Sequence, residues 1–302
     1  MKLFMSLALV MSFSAVTFAE TTPSAGENKT NLSKVLENKK FNEDNRITDA
    51  KLKADSGSLS RYSLSFNLSY YGPTLGDMGA KDQPNPDGTP GTYETSLGGS
   101  FGGRFRIDSS SSINAGAGLK AIHPLHGMER FDTNNPYMGY NISTRLAGVQ
   151  MRNSISVSAI TIPNYTKIGE YGSISYDNSM VYDLGTSHFA IGFDTSFGYY
   201  LYNRDYDKKD GKAARYNIAF FPNLKYNFND KFNINTSMNL SYWNARSRAD
   251  QYNLQNRTIT QRLGLGYAWS RDIYIAPYLN FFPDKLATDA TTVNASVIFS
   301  VL

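Results

Sequence analysis

The sequence of 302 residues predicts an all-β protein, a transmembrane antiparallel β-barrel of about twelve strands. Three observations carry this prediction: an apolar leader, repeated alternation of apolar and polar residues from position 61 onward, and a regular succession of short and long connections. Alternation with a period of two gives each strand one apolar and one polar face. A closed sheet built from such strands has a lipid-facing outside and a polar inside.

The first nineteen residues have the organisation of a secretory signal peptide. Lys2 supplies the positive start, Leu3 to Phe13 the short apolar core, and Ala19 a small residue at the predicted cleavage site. The apolar run is shorter than a bilayer-spanning helix needs, which disfavours a membrane anchor. The chain has no Cys, which excludes a lipoprotein anchor, disulfides and thiolate sites. We therefore predict residues 1–19 as a signal peptide.

Residues 20–57 differ in amino-acid composition from the rest of the chain. They are charged and poor in aromatic residues, with weak helical stripes at Leu32, Val35 and Leu36 and at Ile47 and Leu52. This composition predicts a flexible periplasmic N-terminal segment that can hold one short helix. The alternative is a plug that folds back into a pore.

Residues 58–302 are predicted to form the barrel. In "RYSLSFNLSYY", for example, Tyr62, Leu64 and Phe66 share one face, while Ser63 and Ser65 share the other. Twelve segments have this pattern and the length of a transmembrane strand. They lie at 61–71, 93–107, 113–122, 137–147, 153–162, 173–184, 188–202, 215–228, 231–243, 257–269, 273–283 and 291–302.

Short and long connections alternate between these segments without a break. Short turns follow Ile107, Ala147, Leu184, Phe228 and Trp269, and long loops lie at 72–92, 123–136, 163–172, 203–214, 244–256 and 284–290. Bacterial outer-membrane barrels have short periplasmic turns and longer outer loops. An even number of strands further predicts that both termini are periplasmic.

The last segment, "TTVNASVIFSVL", is predicted to close the barrel on the first strand. Val293, Ala295, Val297, Phe299 and Val301 share its apolar face, and Ile298 is the exception on the polar face. With these features the chain resembles Gram-negative outer-membrane β-barrel proteins of the porin-like class. The resemblance implies a place in the bacterial outer membrane, contact with its lipids and lipopolysaccharide, and recognition of the last strand by the barrel-assembly machinery during insertion.

A secreted antiparallel sandwich is the rival fold, because it also alternates. Regular loop alternation and aromatic residues near strand ends, which resemble interfacial belts, favour the barrel. Those aromatics are Tyr62, Tyr70, Tyr93, Tyr137, Tyr182, Tyr199, Tyr242, Tyr267 and Trp269. Two prolines, Pro222 and Pro277, lie inside predicted strands and each removes a ladder hydrogen bond, so bulges are expected there.

The polar faces supply the candidate pore lining, in which basic residues outnumber acidic ones. The predicted lining residues are Glu94, Arg104, Arg106, Lys120, Arg145, Asp177, Asp194, Lys225 and Arg262. In one interpretation they line a water-filled channel for passive passage of small polar solutes, including anions. In the other, opposite charges pair across a filled lumen and hold a structural or surface-recognition barrel closed.

The loop "HPLHGMERFD" holds the remaining candidates for chemistry. His123, His126 and Glu129 could bind a metal or serve a lipid hydrolase at the barrel rim, although a polar loop that happens to contain two His is the simpler interpretation. We therefore predict no enzyme activity, no catalytic residue, no metal and no cofactor. A net charge of +4 without clustered Lys and Arg gives no case for nucleic acid.

Overall fold

The structure, a computed structural model, describes residues 39–43, 45–203, 213–247 and 252–301. The predicted signal peptide, residues 20–38 of the N-terminal segment and most of the loop at 203–214 lie outside these ranges. Neither of the two helices in the described residues is long and apolar enough to cross a membrane.

Twelve strands form one closed antiparallel barrel. The barrel strands are β1 (Tyr62–Thr74), β4 (Ser96–Arg106), β5 (Ser111–Ile122), β6 (Arg130–Leu146), β7 (Val149–Ala159), β8 (Glu170–Asp183), β9 (Phe189–Tyr202), β10 (Ala214–Asn227), β11 (Phe232–Ala245), β13 (Thr260–Ser270), β14 (Ile273–Phe281) and β15 (Thr292–Val301). Around the sheet the order is β10–β9–β8–β7–β6–β5–β4–β1–β15–β14–β13–β11, and β11 pairs with β10 to close it. The predicted fold class is confirmed.

Five smaller elements accompany the barrel. The helix α1 (Ala50–Ser56) precedes β1, and α2 (Pro163–Thr166) lies between β7 and β8. β2 (Asp82–Pro84) and β3 (Thr92–Glu94) form a separate hairpin in the long loop after β1, while β12 (Gln255–Asn256) extends the edge of β11. The predicted strand at 93–107 is therefore two elements, and its first part belongs to the loop hairpin.

The first and last barrel strands meet as the sequence predicts. β1 and β15 pair in continuous register from Leu64 with Val301 to Tyr71 with Asn294. At this seam the rings of Phe66 and Phe299 stack, with centroids 4.5 Å apart. Because these rings face each other only in this register, the stack helps to specify the closing pair.

Apolar side chains face outward and polar ones face inward. On β7, Ile155 and Val157 remain 52% and 50% exposed, although they are strongly apolar. Inward positions around the barrel are instead mostly polar, and among them Asn141 of β6 and Asn233 of β11 are buried. The molecule therefore presents the apolar outer surface and polar interior that a membrane barrel requires.

The bulges predicted at Pro222 and Pro277 are wrong. Pro222 stays in register with Phe193 on β9, and Pro277 stays in register with Ala295 on β15. On the opposite neighbours, β11 and β13, pairing is interrupted at each proline and resumes in the same register. Each N–H of an antiparallel strand points to one neighbour only, so a missing donor interrupts one ladder without forcing an extra residue into the strand.

The turn between β4 and β5 is organised by one carboxylate. Asp108 accepts hydrogen bonds from the backbone N–H and the hydroxyl of both Ser110 and Ser111, at 2.7–2.9 Å. The hydrogen bond from the Ser111 hydroxyl is the largest contribution, and together these bonds lower the pKa of Asp108 to about 2. In the turn between β10 and β11, the neutral Asn229 accepts from two backbone N–H groups in the same way.

Asp108→Asn is expected to remove a pH-dependent part of the stability. Because the pKa is lowered by folding, the Asp108 carboxylate stabilises the protein above about pH 4 and loses this effect as the pH falls towards 2. Exposure to solvent limits the contribution to about 1 kcal/mol. The measurement is the urea midpoint of the detergent-folded protein between pH 6 and 2.5, with Asp230→Asn as control. A variant whose midpoint follows that of the unmodified protein at every pH would contradict the prediction.

Candidate functional site

A short N-terminal segment lies inside the barrel, and we call residues 45–57 the luminal segment. The Asp49 carboxylate accepts from the Leu52 N–H at 3.0 Å and caps the start of α1. The helix ends at Gly57, whose φ of 73° is a conformation that glycine adopts without strain. Outside the lumen, the N–H of Phe41 donates to the Leu59 carbonyl and the N–H of Arg61 to the Lys39 carbonyl. The chain therefore enters the lumen and returns beside its point of entry.

The luminal segment packs against opposite sides of the wall. Ile47 and Leu52 form a buried cluster with Val181 of β8 and Ala190 of β9. Ala54 forms another with side chains from three strands across the barrel, namely Ala268, Tyr274 and Ile298. Leu52 and Ala54 are each only 1% exposed. The helix is therefore held from two opposite sides and crosses the lumen.

A buried ion pair joins the luminal segment to β10. The Lys225 ammonium donates to the Asp49 carboxylate, and both side chains are more than nine-tenths buried. Burial works to raise the pKa of Asp49, but the charge and hydrogen bond of Lys225 and the Leu52 N–H outweigh it and lower that pKa below its usual value. The Asp49 carboxylate therefore stays ionised, and its bond with Lys225 holds the start of α1 against the wall.

Gln150 of β7 makes a second buried attachment. Its side-chain oxygen accepts from the backbone N–H groups of Thr48, at 2.7 Å, and Asp49, at 2.8 Å. Its side-chain nitrogen donates to Asp183 of β8 at 2.8 Å. One fully buried amide thus satisfies two backbone donors that the helix itself cannot pair.

Arginines from the wall bind the carbonyl groups at the end of α1. Arg106 donates to the carbonyls of Ser56, Gly57 and Ser58 at 2.7–3.0 Å. Arg271, in the turn between β13 and β14, also donates to the Gly57 carbonyl, at 2.7 Å. These charged donors satisfy carbonyl groups at the negative end of the helix.

These contacts lie at the end of the barrel that carries the short turns. Val181 and Lys225 are near the ends of β8 and β10, whereas Gln150 and Ala190 are near the starts of β7 and β9. The predicted flexible segment thus differs from the structure over residues 45–57, where specific contacts hold it, and the plug alternative describes that part. The alternation of short turns and long loops is as predicted. The start of β1 and the end of β15, which pair where the barrel closes, lie at the end of the barrel that carries the short turns.

The structure divides the predicted lining residues into three groups. Five touch the luminal segment: Arg104, Arg106 and Arg145 through backbone carbonyls, Lys225 through Asp49, and Asp194 through Lys51 at 3.4 Å. Three are exposed or lie on the wall away from the helix: Lys120, Asp177 and Arg262. Glu94 lies in the β2–β3 loop hairpin, outside the barrel sheet.

Sequence reasoning missed the residues that anchor the luminal segment. Asp49 and Lys51 belong to the stretch predicted to be flexible, and Gln150 lies in a predicted turn. The available signals are two apolar residues on polar faces, Val181 and Ile298. Val181 is 6% exposed because it packs with Ile47 and Leu52, and Ile298 is 8% exposed because it packs with Ala54.

The His-containing loop is folded around His123. This side chain is 2% exposed, with Nδ1 2.9 Å from Glu129 and Nε2 3.3 Å from Asp82 of the loop hairpin. A hydrogen bond from Lys81 and a second from His123 lower the pKa of Glu129. His123 therefore ties two loops together and is not placed to reach a lipid. Among the described residues, no group of three or more His, Asp or Glu side chains could hold a metal ion.

Cavities continue from the luminal segment towards the long loops. One of about 140 Å³ has Asp49, Lys51 and Leu52 in its lining, and a second of about 290 Å³ lies among the loop-end residues. Arg262 borders both and lies over the Tyr278 ring, 5.1 Å from its centroid. On the other side of the helix, a cavity of about 630 Å³ is lined by short-turn residues, including Asp230, Lys231 and Arg271.

No protein-family model matches the sequence, and no curated protein matches it. Among solved structures, the chain is similar to an outer membrane channel from Pseudomonas putida F1, with a TM-score of 0.51 and 9% identity over 82% of this chain and 98% of that chain. KdgM porin in complex with disordered oligogalacturonate and the NanC porin each align with a TM-score of 0.42, at 9% and 10% identity, over 79% of this chain and 99% and 98% of theirs. The first likeness shows that the chain has the fold of an outer-membrane β-barrel channel.

Proposed function

We propose that this protein is an outer-membrane channel for small polar solutes whose short-turn end is closed by the luminal segment. The observation that carries the proposal is the combination of a closed barrel, polar on its inside, with cavities on both sides of one short helix. In this proposal the helix is the narrowest point of the path. Solutes pass when the luminal segment moves away from the wall.

The orientation and location follow from the same proposal. The signal peptide at 1–19 directs export, the short turns face the periplasm, and the long loops face outward, where they meet lipopolysaccharide. The apolar outer surface contacts the outer-membrane lipids, and the barrel-assembly machinery inserts the chain. An excess of basic side chains on the wall, such as Arg152 and Arg262, supports a preference for anions.

A closed structural barrel is the second candidate, and the luminal segment itself favours it. Its contacts reach β8 and β9 on one side and β13, β14 and β15 on the other, so the lumen is filled at that level. A barrel held shut by buried contacts stabilises the membrane protein without conducting. The two candidates differ in whether the helix ever leaves the wall.

Current through planar lipid bilayers tests the channel. We expect the detergent-folded mature chain to show rare, discrete openings, because the closed state has a buried ion pair and paired backbone groups. Reversal potentials in a KCl gradient should report anion preference. Protein that migrates as a folded, heat-modifiable band but never conducts, with or without the luminal segment, would overturn the channel and leave the closed barrel.

A further inference from the structure

A small polar cavity lies between the last turn of α1 and the inner wall of the barrel. Its volume is about 100 Å³, whereas a single water needs roughly 10–15 Å³ of such space. Two wall arginines, Arg104 of β4 and Arg152 of β7, line it together with Asp55 of α1. The polar lining also includes Ser100, Asn114 and Tyr137.

Both arginines have donors that no acceptor in the described residues satisfies. Arg104 is 8% exposed, and its Nη2 donates to the Asp55 carbonyl at 3.2 Å, but its Nε and Nη1 are buried without a partner. Arg152 donates through Nη2 to the Asn141 side chain at 2.8 Å, while its Nε is buried without a partner. Buried charged donors left unpaired are costly, so the site favours an added acceptor.

The cavity is also rich in positive charge and donors. Two guanidinium groups face one carboxylate, that of Asp55. The Asn114 side-chain oxygen already accepts from Asn141 at 2.9 Å, so the amide nitrogen of Asn114 remains as a donor. Guanidinium groups bind planar or tetrahedral oxyanions through two parallel N–H bonds. We propose that this cavity is a binding site for a small oxyanion, a phosphate or a carboxylate, held between Arg104 and Arg152.

The site has a direct consequence for the luminal segment. Arg104 contacts both the cavity and the Asp55 carbonyl, so a bound anion would rest against the end of α1 as well as the wall. Binding to the folded state alone stabilises it by mass action. Inorganic phosphate should therefore raise the unfolding temperature of the protein in a saturable manner. This expectation does not depend on ion conduction.

Isothermal titration of the detergent-folded mature chain with inorganic phosphate at pH 7 tests the site. We expect saturable binding to the unmodified chain, and roughly tenfold or greater loss of affinity in Arg152→Gln, the size expected for removing a charge-assisted hydrogen bond. Arg152 is preferred to Arg104 because no bond from it to the luminal segment is seen. The matched control is Arg145→Gln, which removes the same charge from an exposed position of the neighbouring strand β6, outside the cavity lining, and with it only the 3.4 Å contact to the Asn45 carbonyl.

The outcomes of the titration test the anion site independently of the channel proposal. Binding that is retained in Arg145→Gln and lost in Arg152→Gln supports the site, even if no variant conducts. Equal affinity in both variants, or no heat of binding to folded protein, overturns it whatever the currents show. Titration with choline chloride at matched ionic strength shows whether the effect is only charge screening. A chloride titration that reproduces the phosphate result would also overturn the proposal.

Discussion

Deleting residues 45–57 is expected to convert rare openings into a steady current several times larger. The deletion removes α1 and its buried contacts with β8, β9 and β13–β15, and joins the cavities on its two sides. The strands and their pairing are left intact, because the barrel ladder begins at Tyr62. The measurement is single-channel conductance in planar bilayers, with heat-modifiable migration in SDS gels as the check on folding. Unchanged conductance would mean that the luminal segment does not limit the current.

A reversible tether provides the matched control for the deletion. The hydroxyls of Ser56 in α1 and Ser143 in β6 lie 3.1 Å apart, close enough for a disulfide in the double variant Ser56→Cys/Ser143→Cys. The chain has no native Cys, so no other disulfide can form within it. Oxidised protein should stay closed, and a reducing agent should restore the rare openings. Equal currents before and after reduction would argue against movement of the luminal segment.

Lys225→Met is expected to weaken the closed state by about 3–5 kcal/mol, because it leaves the Asp49 carboxylate buried without its counter-ion. Both partners are buried, so water does not replace the lost ammonium. The expected results are a lower unfolding temperature and more frequent openings. Adding Asp49→Asn to Lys225→Met should recover much of the loss, since the unpaired charge is then gone.

Lys231→Met is the control for this pair. Lys231 is an exposed residue of the turn that follows β10, so its replacement should change stability by less than about 0.5 kcal/mol. Thermal unfolding followed by SDS-gel mobility compares the two variants directly. If Lys225→Met proves as stable as Lys231→Met, the ion pair does not hold the luminal segment.

Most of the barrel could be predicted because its strands obey a local rule. Whether a side chain faces inward or outward depends only on whether its position along the strand is odd or even. On β7, for example, Ile155 and Val157 face out and Ser154 and Ser156 face in. The bulges predicted at Pro222 and Pro277 do not form, because the effect of each proline depends on which neighbouring strand loses the hydrogen-bond donor. Parity carries no information about that choice.

The closed lumen could not be predicted, because it depends on contacts between distant residues. The seven-residue helix α1 has too few apolar positions to be recognised alone, and its stability comes from Gln150, Lys225 and Arg106. In the sequence Lys225 and Arg106 are indistinguishable from the lining of an open pore, and Gln150 lies in a predicted turn. Val181 and Ile298 break the pattern, but their partners Leu52 and Ala54 are more than a hundred positions away in the sequence.

The seam between β1 and β15 makes the order of assembly unequal around the barrel. The other ladders join strands that follow one another along the chain, whereas this ladder joins Leu64 to Val301. Closing a loop of about 240 residues costs about 3 kcal/mol more in chain entropy than closing a turn of about five. Hairpins should therefore form early and the seam last. Until then two unpaired strand edges are exposed, so the risk of aggregation during folding is concentrated at one seam.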